Sequence, residues 1–481
     1  MGAARSRRLL GALAGFAALV LTACGGGDRA PQVATEIEHF IAAAPSSPVP
    51  TDIWGDVQRF YAGRMYAPRW VGDGDEEQAA AALRVVQRAP AHGLGAASYD
   101  DADLPRLLAS KQSIDETLGG DVARIARLDV RITATLLTLA RDVAVGRTSP
   151  GSIDRRWKAA RTPPDLVATL ASATDAKGLD GWLDTIRPVH PEYAALQAAL
   201  AALRAQLGDG ADTGDERVRL LALNLERWRW LPDDLGARHI LVNIPAFQMA
   251  VREKGQPVLE MKVVVGKPDR VTPVFSGQME TIVFSPYWNV PDSIAEGETA
   301  PAAARDPRFL SRNNMEILRR GEDGVSVVDP ASVDWDDPDA IKALAFRQKP
   351  GPGNALGHVK FLFPNSYDVY LHDTPADALF AREGRAFSHG CVRLEKPDAL
   401  AAYLLRGDPQ WDDARIQAAM HQGEERHVAM KEKLPVHIVY FTAWPDGAGG
   451  VRTFPDVYEY DAKQSGSPAA RGRVKVSSSA E

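Results

Sequence analysis

A histidine and a cysteine near the C-terminal end of this 481-residue chain are the residues best suited to chemistry. His372 is followed, after fifteen residues, by the run Ser388, His389, Gly390 and Cys391. A thiol attacks a carbonyl carbon only as the thiolate, and a neighbouring imidazole can take its proton and later return it to a leaving amine. A cysteine and a histidine are sufficient for acyl transfer, so the run predicts that chemistry.

Two short extended segments are expected to present these side chains. In a strand that ends at His372, Tyr370 and His372 share the side opposite the core, because side chains alternate along a strand. In an extended chain through the cysteine, His389, Cys391 and Arg393 likewise share one face. The thiol, two imidazoles and a guanidinium can therefore converge.

The glycine before the cysteine has a separate expected purpose. Without a side chain, Gly390 lets the backbone approach a substrate closely. We expect the amide N–H groups of Gly390 and Cys391 to face the oxygen that becomes negative in a tetrahedral intermediate. Arg393 can hold a substrate carboxylate or balance surface charge.

Two other interpretations of these residues stay open. From spacing alone, Cys391 can be a small buried hydrophobic residue without a chemical role. The second interpretation is a zinc site with His372, Asp373, His389 and Cys391 as ligands, although their spacing fits no common zinc pattern.

Composition and charge limit the class of protein and its partners. The chain is 45% hydrophobic and 25% charged, as globular proteins are. Its formal net charge is −7 and its basic residues are scattered, so we expect no nucleic-acid partner. The only two cysteines, Cys24 and Cys391, lie far apart, which excludes a disulfide framework.

The N-terminal segment has the features of a targeting sequence. Residues 1–23 have a basic, an apolar and a small-residue region, which is the layout of a secretory signal peptide. The run Leu21, Thr22, Ala23 and Cys24 resembles the lipobox of bacterial lipoproteins, in which the cysteine is acylated. We therefore expect a lipid on Cys24 that anchors the protein to a membrane in the periplasm, and Gly25 favours the outer membrane. A plain signal peptide or a membrane anchor with an incidental cysteine is the alternative.

The remainder divides by composition into an α+β protein. Residues 24–50 are small and proline-rich, as in a tether. Residues 51–214 have helical spacing and predict a helical domain. Residues 215–460 contain alternating β-branched runs and predict a β-rich domain, in which a stretch at about 291–357 suits a lid or subdomain. Residues 461–481 are expected to be disordered.

The segment from His372 to Cys391 resembles the signature of the L,D-transpeptidases, whose YkuD-type catalytic domain carries a histidine followed at this distance by Ser or Thr, His, Gly and Cys. Other segments resemble the large periplasmic subgroup of that family, namely Asn224–Pro232, Leu241–Ala246, Val264–Lys267, Phe284–Pro291, Arg347–Gly357 and Phe387–Pro397. The resemblance covers about residues 215–460 and, more loosely, 51–205. It implies a mainly helical scaffold domain followed by a β-rich YkuD-type catalytic domain with an inserted capping subdomain.

The resemblance also implies roles for the residues of the signature. Cys391 would be the nucleophile, and His372 its general base and later acid. His389 would support and orient, and Ser388 would help position the loop.

Residues around the signature would contact the substrate. Tyr370 and Trp288 would line the donor pocket, and Arg393 would contact substrate or brace the cysteine loop. The widest signature of the family has asparagine where Arg393 stands, so the role of Arg393 is less defined. The segment between Pro191 and Gly214 has no room for the peptidoglycan-binding module of many subgroup members, so wall docking would rest on the lid and scaffold.

The implied substrates are peptidoglycan tetrapeptide stems as donor and acceptor, and the reaction needs no cofactor or metal. Attack on the carbonyl of the L-centre of diaminopimelate would release D-Ala, and a second stem would resolve the thioester as a 3-3 cross-link. Carbapenems are expected inhibitors. Two alternatives are an L,D-carboxypeptidase or stem-peptide hydrolase of the same fold, and a non-catalytic wall-binding lipoprotein.

Overall fold

The computed structural model describes residues 29–43, 51–71, 76–95, 99, 120–176, 178–208, 214–321 and 324–466. A helical N-terminal region is followed by a β-rich region, which confirms the predicted α+β fold class. Cys24 and the rest of the predicted signal peptide lie outside the described residues. Within the described ranges, no helix combines the length and apolarity needed to cross a membrane.

A long central helix organises the helical domain. It begins after Asp121, whose carboxylate accepts a hydrogen bond from the Arg124 amide as an N-terminal cap, and it is buried along most of its length. The helices described before residue 214 are α1 (Ala30–Ala42), α2 (Thr51–Ala62), α3 (Glu76–Gln87), α4 (Val122–Val145), α5 (Leu166–Asp175), α6 (Trp182–Ile186) and α7 (Pro191–Leu207), with single 3₁₀ turns at Ala89–His92, Pro150–Ser152 and Leu179–Gly181.

The predicted tether is wrong for its central part. Helix α1 lies inside residues 24–50 and packs against α4. Its Val33, Ile37 and Ile41 are buried in the core of the helical domain. The composition suggested a spacer, but the i, i+4 spacing of three β-branched residues gives this stretch one apolar face that needs a partner.

A nine-stranded sheet forms the body of the β-rich domain, in the order β11-β3-β12-β10-β9-β4-β13-β1-β2. β3 also pairs with β2, so the two ends of this order meet. The strands are β1 (Arg238–Asn243), β2 (Gln248–Glu253), β3 (Gln256–Gly266), β4 (Phe275–Phe284), β5 (Trp288–Asn289), β6 (Met315–Gly321), β7 (Gly324–Val328), β8 (Leu344–Gln348), β9 (Val359–Leu362), β10 (Leu371–His372), β11 (Ala386–Ser388), β12 (Val392–Leu394), β13 (Arg426–Val439), β14 (Ala443–Pro445) and β15 (Val451–Thr453).

Residues 288–348, named here the cap, interrupt this sheet with a structure of their own. Strands β5, β8, β6 and β7 form a separate four-stranded sheet in that order. A core that includes Ile317, Leu344 and Phe346 lies beneath it.

The described helices of the whole β-rich domain, the cap included, are α8 (Glu216–Trp228), α9 (Asp292–Ile294), a π-helical turn (Ala295–Thr299), α10 (Ala300–Arg305), α11 (Phe309–Arg312), α12 (Pro338–Lys342), α13 (Pro397–Leu405), α14 (Asp413–His421) and α15 (Tyr460–Gly466), with 3₁₀ turns at Pro330–Ser332 and Asp377–Ala381.

The C-terminal segment predicted to be disordered begins as a helix. In α15, the buried Gln464 accepts a hydrogen bond from the Arg227 side chain at 3.1 Å, and Asp461 lies 2.6 Å from the same guanidinium. The expectation is therefore wrong for residues 461–466, and residues 467–481 lie outside the described part of the chain.

The two domains share their hydrophobic cores. Ile153 and Trp157 of the helical domain are buried in the core of the sheet. Helix α7, on the helical side of the predicted boundary, packs with α8 and Phe441 of the sheet domain. The helical domain is thus fixed to the sheet by buried contacts, which lets it influence the site described next.

Candidate active site

Two neighbouring short strands bring His372 and Cys391 to one face of the sheet. β10 and β12 run parallel, with Leu371 opposite Val392 and His372 opposite Arg393. Leu371 and Val392 are fully buried in the core of the nine-stranded sheet. Since side chains alternate, His372, Cys391 and Arg393 project on the other side, as the sequence predicted for these three residues.

The sulfur of Cys391 is surrounded by one turn of backbone and one aromatic side chain. Its Sγ lies 3.8 Å from the carbonyl oxygen of Asp368 and accepts hydrogen bonds from the amide and hydroxyl of Tyr370. Burial raises the pKa of the thiol to about 11, while the Tyr370 hydrogen bonds and the Arg393 charge oppose that rise. The resting thiol is therefore protonated at neutral pH.

His372 is buried and held in one tautomer. Its Nδ1 donates to the carbonyl oxygen of Asp373 at 2.5 Å, and a carbonyl can only accept, so Nε2 carries the lone pair. Burial, and then the charges of Arg393 and Lys360, lower the imidazole pKa to about 3. A neutral imidazole whose Nε2 carries the lone pair is the form that can accept a thiol proton.

Ser388 forms two hydrogen bonds within the loop 388–391 that carries Cys391. Its hydroxyl donates to the Cys391 carbonyl at 2.5 Å and accepts from the Gly390 amide at 3.1 Å. Gly390 has φ +120°, a conformation that favours glycine. The expectation that the Gly390 N–H faces a developing oxyanion is not met here, because Ser388 occupies that N–H; the Cys391 amide is the remaining donor.

Sequence reasoning missed the residues behind this loop. Thr272 donates its hydroxyl to the Gly390 carbonyl and accepts from the Gly266 amide, both at 2.8 Å. Tyr458 donates to the Gly266 carbonyl at 2.7 Å and accepts from the Thr272 amide. No spacing in the sequence signals this contact, because the three segments lie far apart along the chain.

His389 faces the cap. Its Nε2 lies 2.8 Å from Oε1 of Glu298, which belongs to the π-helical turn. Both side chains are partly exposed, at 28% and 54%. The second histidine of the signature therefore connects the loop of Cys391 to the cap, whereas the sequence predicted that it converges with Cys391 and His372.

The other predicted site residues separate into two groups. Tyr370 lies beside the sulfur, and its ring is 5.6 Å from that of His372. Arg393 is next to both, and its buried Nε has no hydrogen-bond partner in the described part of the chain. Trp288 pairs with Gln348 in the cap sheet and packs against the cap core, so its contacts place it in the cap.

A second cation, Lys360, was not predicted. It lies opposite His372 in the β9–β10 pair, and its Nζ is 3.3 Å from the Tyr287 carbonyl and 3.7 Å from Glu425. Burial lowers its pKa, against the attraction of Glu425. The alternation of the strand run from His358 could have indicated this position.

The zinc alternative finds no support in the geometry. Among the described residues, no three His, Cys, Asp or Glu side chains are grouped as ligands of a metal ion. Of the four proposed ligands, His372 bonds the Asp373 main chain, His389 bonds Glu298, and the Asp373 carboxylate accepts from the amides of His358 and Thr374.

Two family models match the chain. A model described as a scaffold domain matches residues 55–200, and one described as an L,D-transpeptidase catalytic domain matches residues 237–411. A protein of Haemophilus influenzae (strain Rd), named as an inferred L,D-transpeptidase, is 30% identical over 403 residues, which cover 84% of this chain and 77% of that protein.

Solved structures give weaker matches. An L,D-transpeptidase in complex with imipenem is 16% identical and matches with a TM-score of 0.20, over 42% of this chain and 59% of that one. An L,D-transpeptidase from Mycobacterium smegmatis is 14% identical, with the same TM-score, over 42% and 58%. L,D-transpeptidase 3 from Mycobacterium tuberculosis with a faropenem-derived adduct is 17% identical at 0.20, over 42% and 60%. The chain thus spans about three fifths of the length of these solved chains.

Proposed function

Because the chain belongs to the L,D-transpeptidase family, we propose that it forms 3-3 cross-links between peptidoglycan stem peptides through a thioester on Cys391. The observation that supports this most directly is the parallel pairing of β10 with β12, which brings His372 and Cys391 to one face from positions nineteen residues apart. A nucleophile and a base in neighbouring strands meet the basic requirement of acyl transfer.

Acylation begins from a neutral pair. The donor is a tetrapeptide stem, and its reacting carbonyl is that of the L-centre of diaminopimelate. As the Cys391 sulfur forms a bond to this carbon, the thiol proton moves to His372 Nε2 and negative charge moves to the carbonyl oxygen. The Cys391 amide is the donor available to that oxygen.

Collapse of the tetrahedral intermediate breaks the bond to the terminal D-Ala. The departing amine takes the proton from His372, and a thioester remains on Cys391. The side-chain amine of diaminopimelate on a second stem then attacks the thioester. Its proton returns through His372 to the sulfur as the C–S bond breaks, which completes the 3-3 link and restores the neutral pair.

The two cations of the cleft fit an anionic stem. Arg393 and Lys360 lie on either side of His372, and the buried Nε of Arg393 has no hydrogen-bond partner among the described residues. Stem peptides carry several carboxylates, and guanidinium groups bind carboxylates well. Arg393 is accordingly proposed to bind a carboxylate of the donor, and carbapenems, as acyl donors, are proposed to acylate Cys391.

The cellular location is proposed from the sequence. A lipid on Cys24 would hold the protein in the periplasm at the outer membrane, which is where a wall cross-linking enzyme meets its substrate. Globomycin-sensitive processing and palmitate labelling that disappears in Cys24→Ala would test this assignment.

Product analysis tests the reaction. The full chain is incubated with disaccharide tetrapeptide, and products and protein mass are followed together. We expect an acyl adduct on Cys391, release of D-Ala and a 3-3 linked dimer, all abolished in Cys391→Ser. Tripeptide without dimer would overturn transpeptidation in favour of hydrolysis, and binding without an adduct would overturn catalysis altogether in favour of a wall-binding role.

A further inference from the structure

We propose that Tyr367 is a positioning residue through which the helical domain holds Cys391 in its reactive geometry. This inference rests on the proposed function for its consequence in turnover, but its test reads the cysteine directly. It assigns to the helical domain a part in the reaction, beyond serving as a scaffold.

The contact between the domains is specific. Tyr367 lies in the turn between β9 and β10 and donates its hydroxyl to the carbonyl oxygen of Arg156 at 2.7 Å. Its ring packs edge-to-face on Phe275, with centroids 5.0 Å apart. The ring is thus anchored in the β-rich domain and the hydroxyl reaches the helical domain.

The acceptor is held firmly. Asp154 accepts hydrogen bonds from the amide and guanidinium of Arg156 and from the hydroxyl of Tyr460, the last at 2.5 Å. The next residue, Trp157, is buried in the core of the sheet, edge-to-face on Trp230 at 5.0 Å. The Arg156 carbonyl is therefore a fixed point to which the turn that carries Tyr367 is bonded.

The turn that contains Tyr367 is ordered around one side chain. Asn365 accepts from the Tyr367 amide at 2.9 Å and the Val369 amide at 3.3 Å, and it donates to the carbonyls of Phe363 and Val369. Asp368, next to Tyr367, has φ +52°, which is unfavourable for a residue with a side chain. Such a conformation persists only where its surroundings enforce it.

The strained residue is the one that meets the nucleophile. The Asp368 carbonyl lies 3.8 Å from the Cys391 sulfur, and Tyr370, two residues later, donates to that sulfur from its amide and hydroxyl. A shift of the turn therefore moves one acceptor and two donors around the thiol at once. Small displacements of this kind are costly, because reacting atoms must be held within a narrow geometry.

The experiment removes one hydroxyl from the full chain. Tyr367→Phe keeps the packing on Phe275 and loses only the bond to Arg156. The matched control is Tyr403→Phe in α13, which loses a hydroxyl that donates to Glu253, away from residues 154–157 and from the turn beside Cys391. Neither variant alters Arg393 or Asp368, the charged groups that act on the sulfur. For each, we would measure Tm, iodoacetamide alkylation on the Cys391 peptide from pH 6 to 10, and kcat and KM for D-Ala release.

In Tyr367→Phe, we expect alkylation at pH 8 to fall about fivefold and its pH profile to move to higher pH, because the sulfur loses its Tyr370 donors. We expect kcat to fall about tenfold with KM within twofold. Tyr403→Phe should keep both rates. Wild-type rates in Tyr367→Phe, or a loss there that Tyr403→Phe matches, would overturn the inference. Alkylation needs no substrate. If the wild-type protein is alkylated at Cys391 but releases no D-Ala, the proposed function is refuted, and the alkylation rates of the two variants still decide the inference about Tyr367.

Discussion

His389 Nε2 lies 2.8 Å from Glu298 Oε1, so the signature loop that carries Cys391 is in direct contact with the cap. The contact joins a β-strand turn to a π-helical turn, a structure that is rare and frequent at functional sites. Because both side chains are partly exposed, a contact of this kind contributes about 0–1 kcal/mol to stability. Its expected effect is on closure of the cap and not on the fold.

Glu298→Gln should therefore change the fate of the thioester. A cap that closes less often admits water, and we expect the tripeptide share of the products to rise about twofold at the expense of the 3-3 dimer. The product ratio is read by chromatography of muropeptides, with Tm expected to stay within about 3 °C. The control is Glu296→Gln, an exposed carboxylate on the same turn; an equal change in both variants would contradict a role for the His389 contact.

Substitutions at the two histidines and the cysteine separate their roles. Cys391→Ser should lower D-Ala release by about three orders of magnitude or more with the fold intact, and His372→Ala should do nearly the same. His389→Ala should keep most of the acylation rate, because this imidazole contacts the cap. Initial rates and circular dichroism would be measured for all three, and loss of turnover in His389→Ala with retention in His372→Ala would reverse the assignment of the base.

The strand face of the site was predictable from the sequence for a simple reason. Alternation along residues 368–372 and around Cys391 places His372 and Cys391 on one side of a sheet, and Leu371 and Val392 on the other, whatever the rest of the fold. The family resemblance similarly anticipated the order of the two domains. These properties depend on the local sequence or on the family signature, and the structure has both of them.

Contacts between distant segments were not predictable. His389 was placed by spacing on the face of Cys391, but a cap residue ninety-one positions away determines its partner. The bond of Ser388 to the Gly390 amide likewise removed an expected oxyanion donor. Helix α1 was not predicted, because the small and proline-rich residues around it indicated a tether, in spite of its three β-branched residues at helical spacing. The first two cases depend on tertiary packing, which periodicity does not encode, whereas helix α1 had a periodic signal that its composition outweighed.

The protonation state of Cys391 gives a direct prediction. With the thiol pKa raised to about 11 by burial, the thiolate fraction grows with pH across the whole neutral range. We expect the rate of iodoacetamide alkylation at Cys391 to rise about tenfold per pH unit between pH 7 and 10. Peptide mass spectrometry would follow the reaction while circular dichroism monitors the fold. A plateau already at pH 6 to 7 would mean a preformed thiolate–imidazolium pair with His372, contrary to the neutral pair derived above.

Away from the site, three buried histidines bind one segment, one from the helical domain and two from the sheet. His190, His239 and His437 each donate a ring N–H to a main-chain carbonyl of residues 232–236, at 2.9, 2.8 and 3.0 Å. Burial lowers the pKa of each, and lowers that of His437 to about 4. These neutral histidines hold the connection between α8 and β1, which is where the helical and β-rich parts meet.

Acid should therefore weaken this connection. The unfolded chain binds a proton at His437 below about pH 6.5, whereas the folded chain does so only near 4, so the stability that the neutral imidazole contributes is lost as pH falls through that window. The loss is about 1.4 kcal/mol per pH unit for one such histidine. Asp142, whose pKa burial raises to about 7, acts in the opposite sense, so the wild-type slope alone is a sum of effects.

The comparison with His437→Gln isolates one histidine. Glutamine can still donate to the Leu235 carbonyl but does not titrate, so the wild-type advantage in free energy of unfolding should shrink by about 3 kcal/mol between pH 7 and 4. Urea unfolding at each pH, followed by circular dichroism, measures it. A constant gap between wild type and His437→Gln across this range would show that His437 titrates alike in both states, because only a difference in proton binding between folded and unfolded chains makes stability depend on pH.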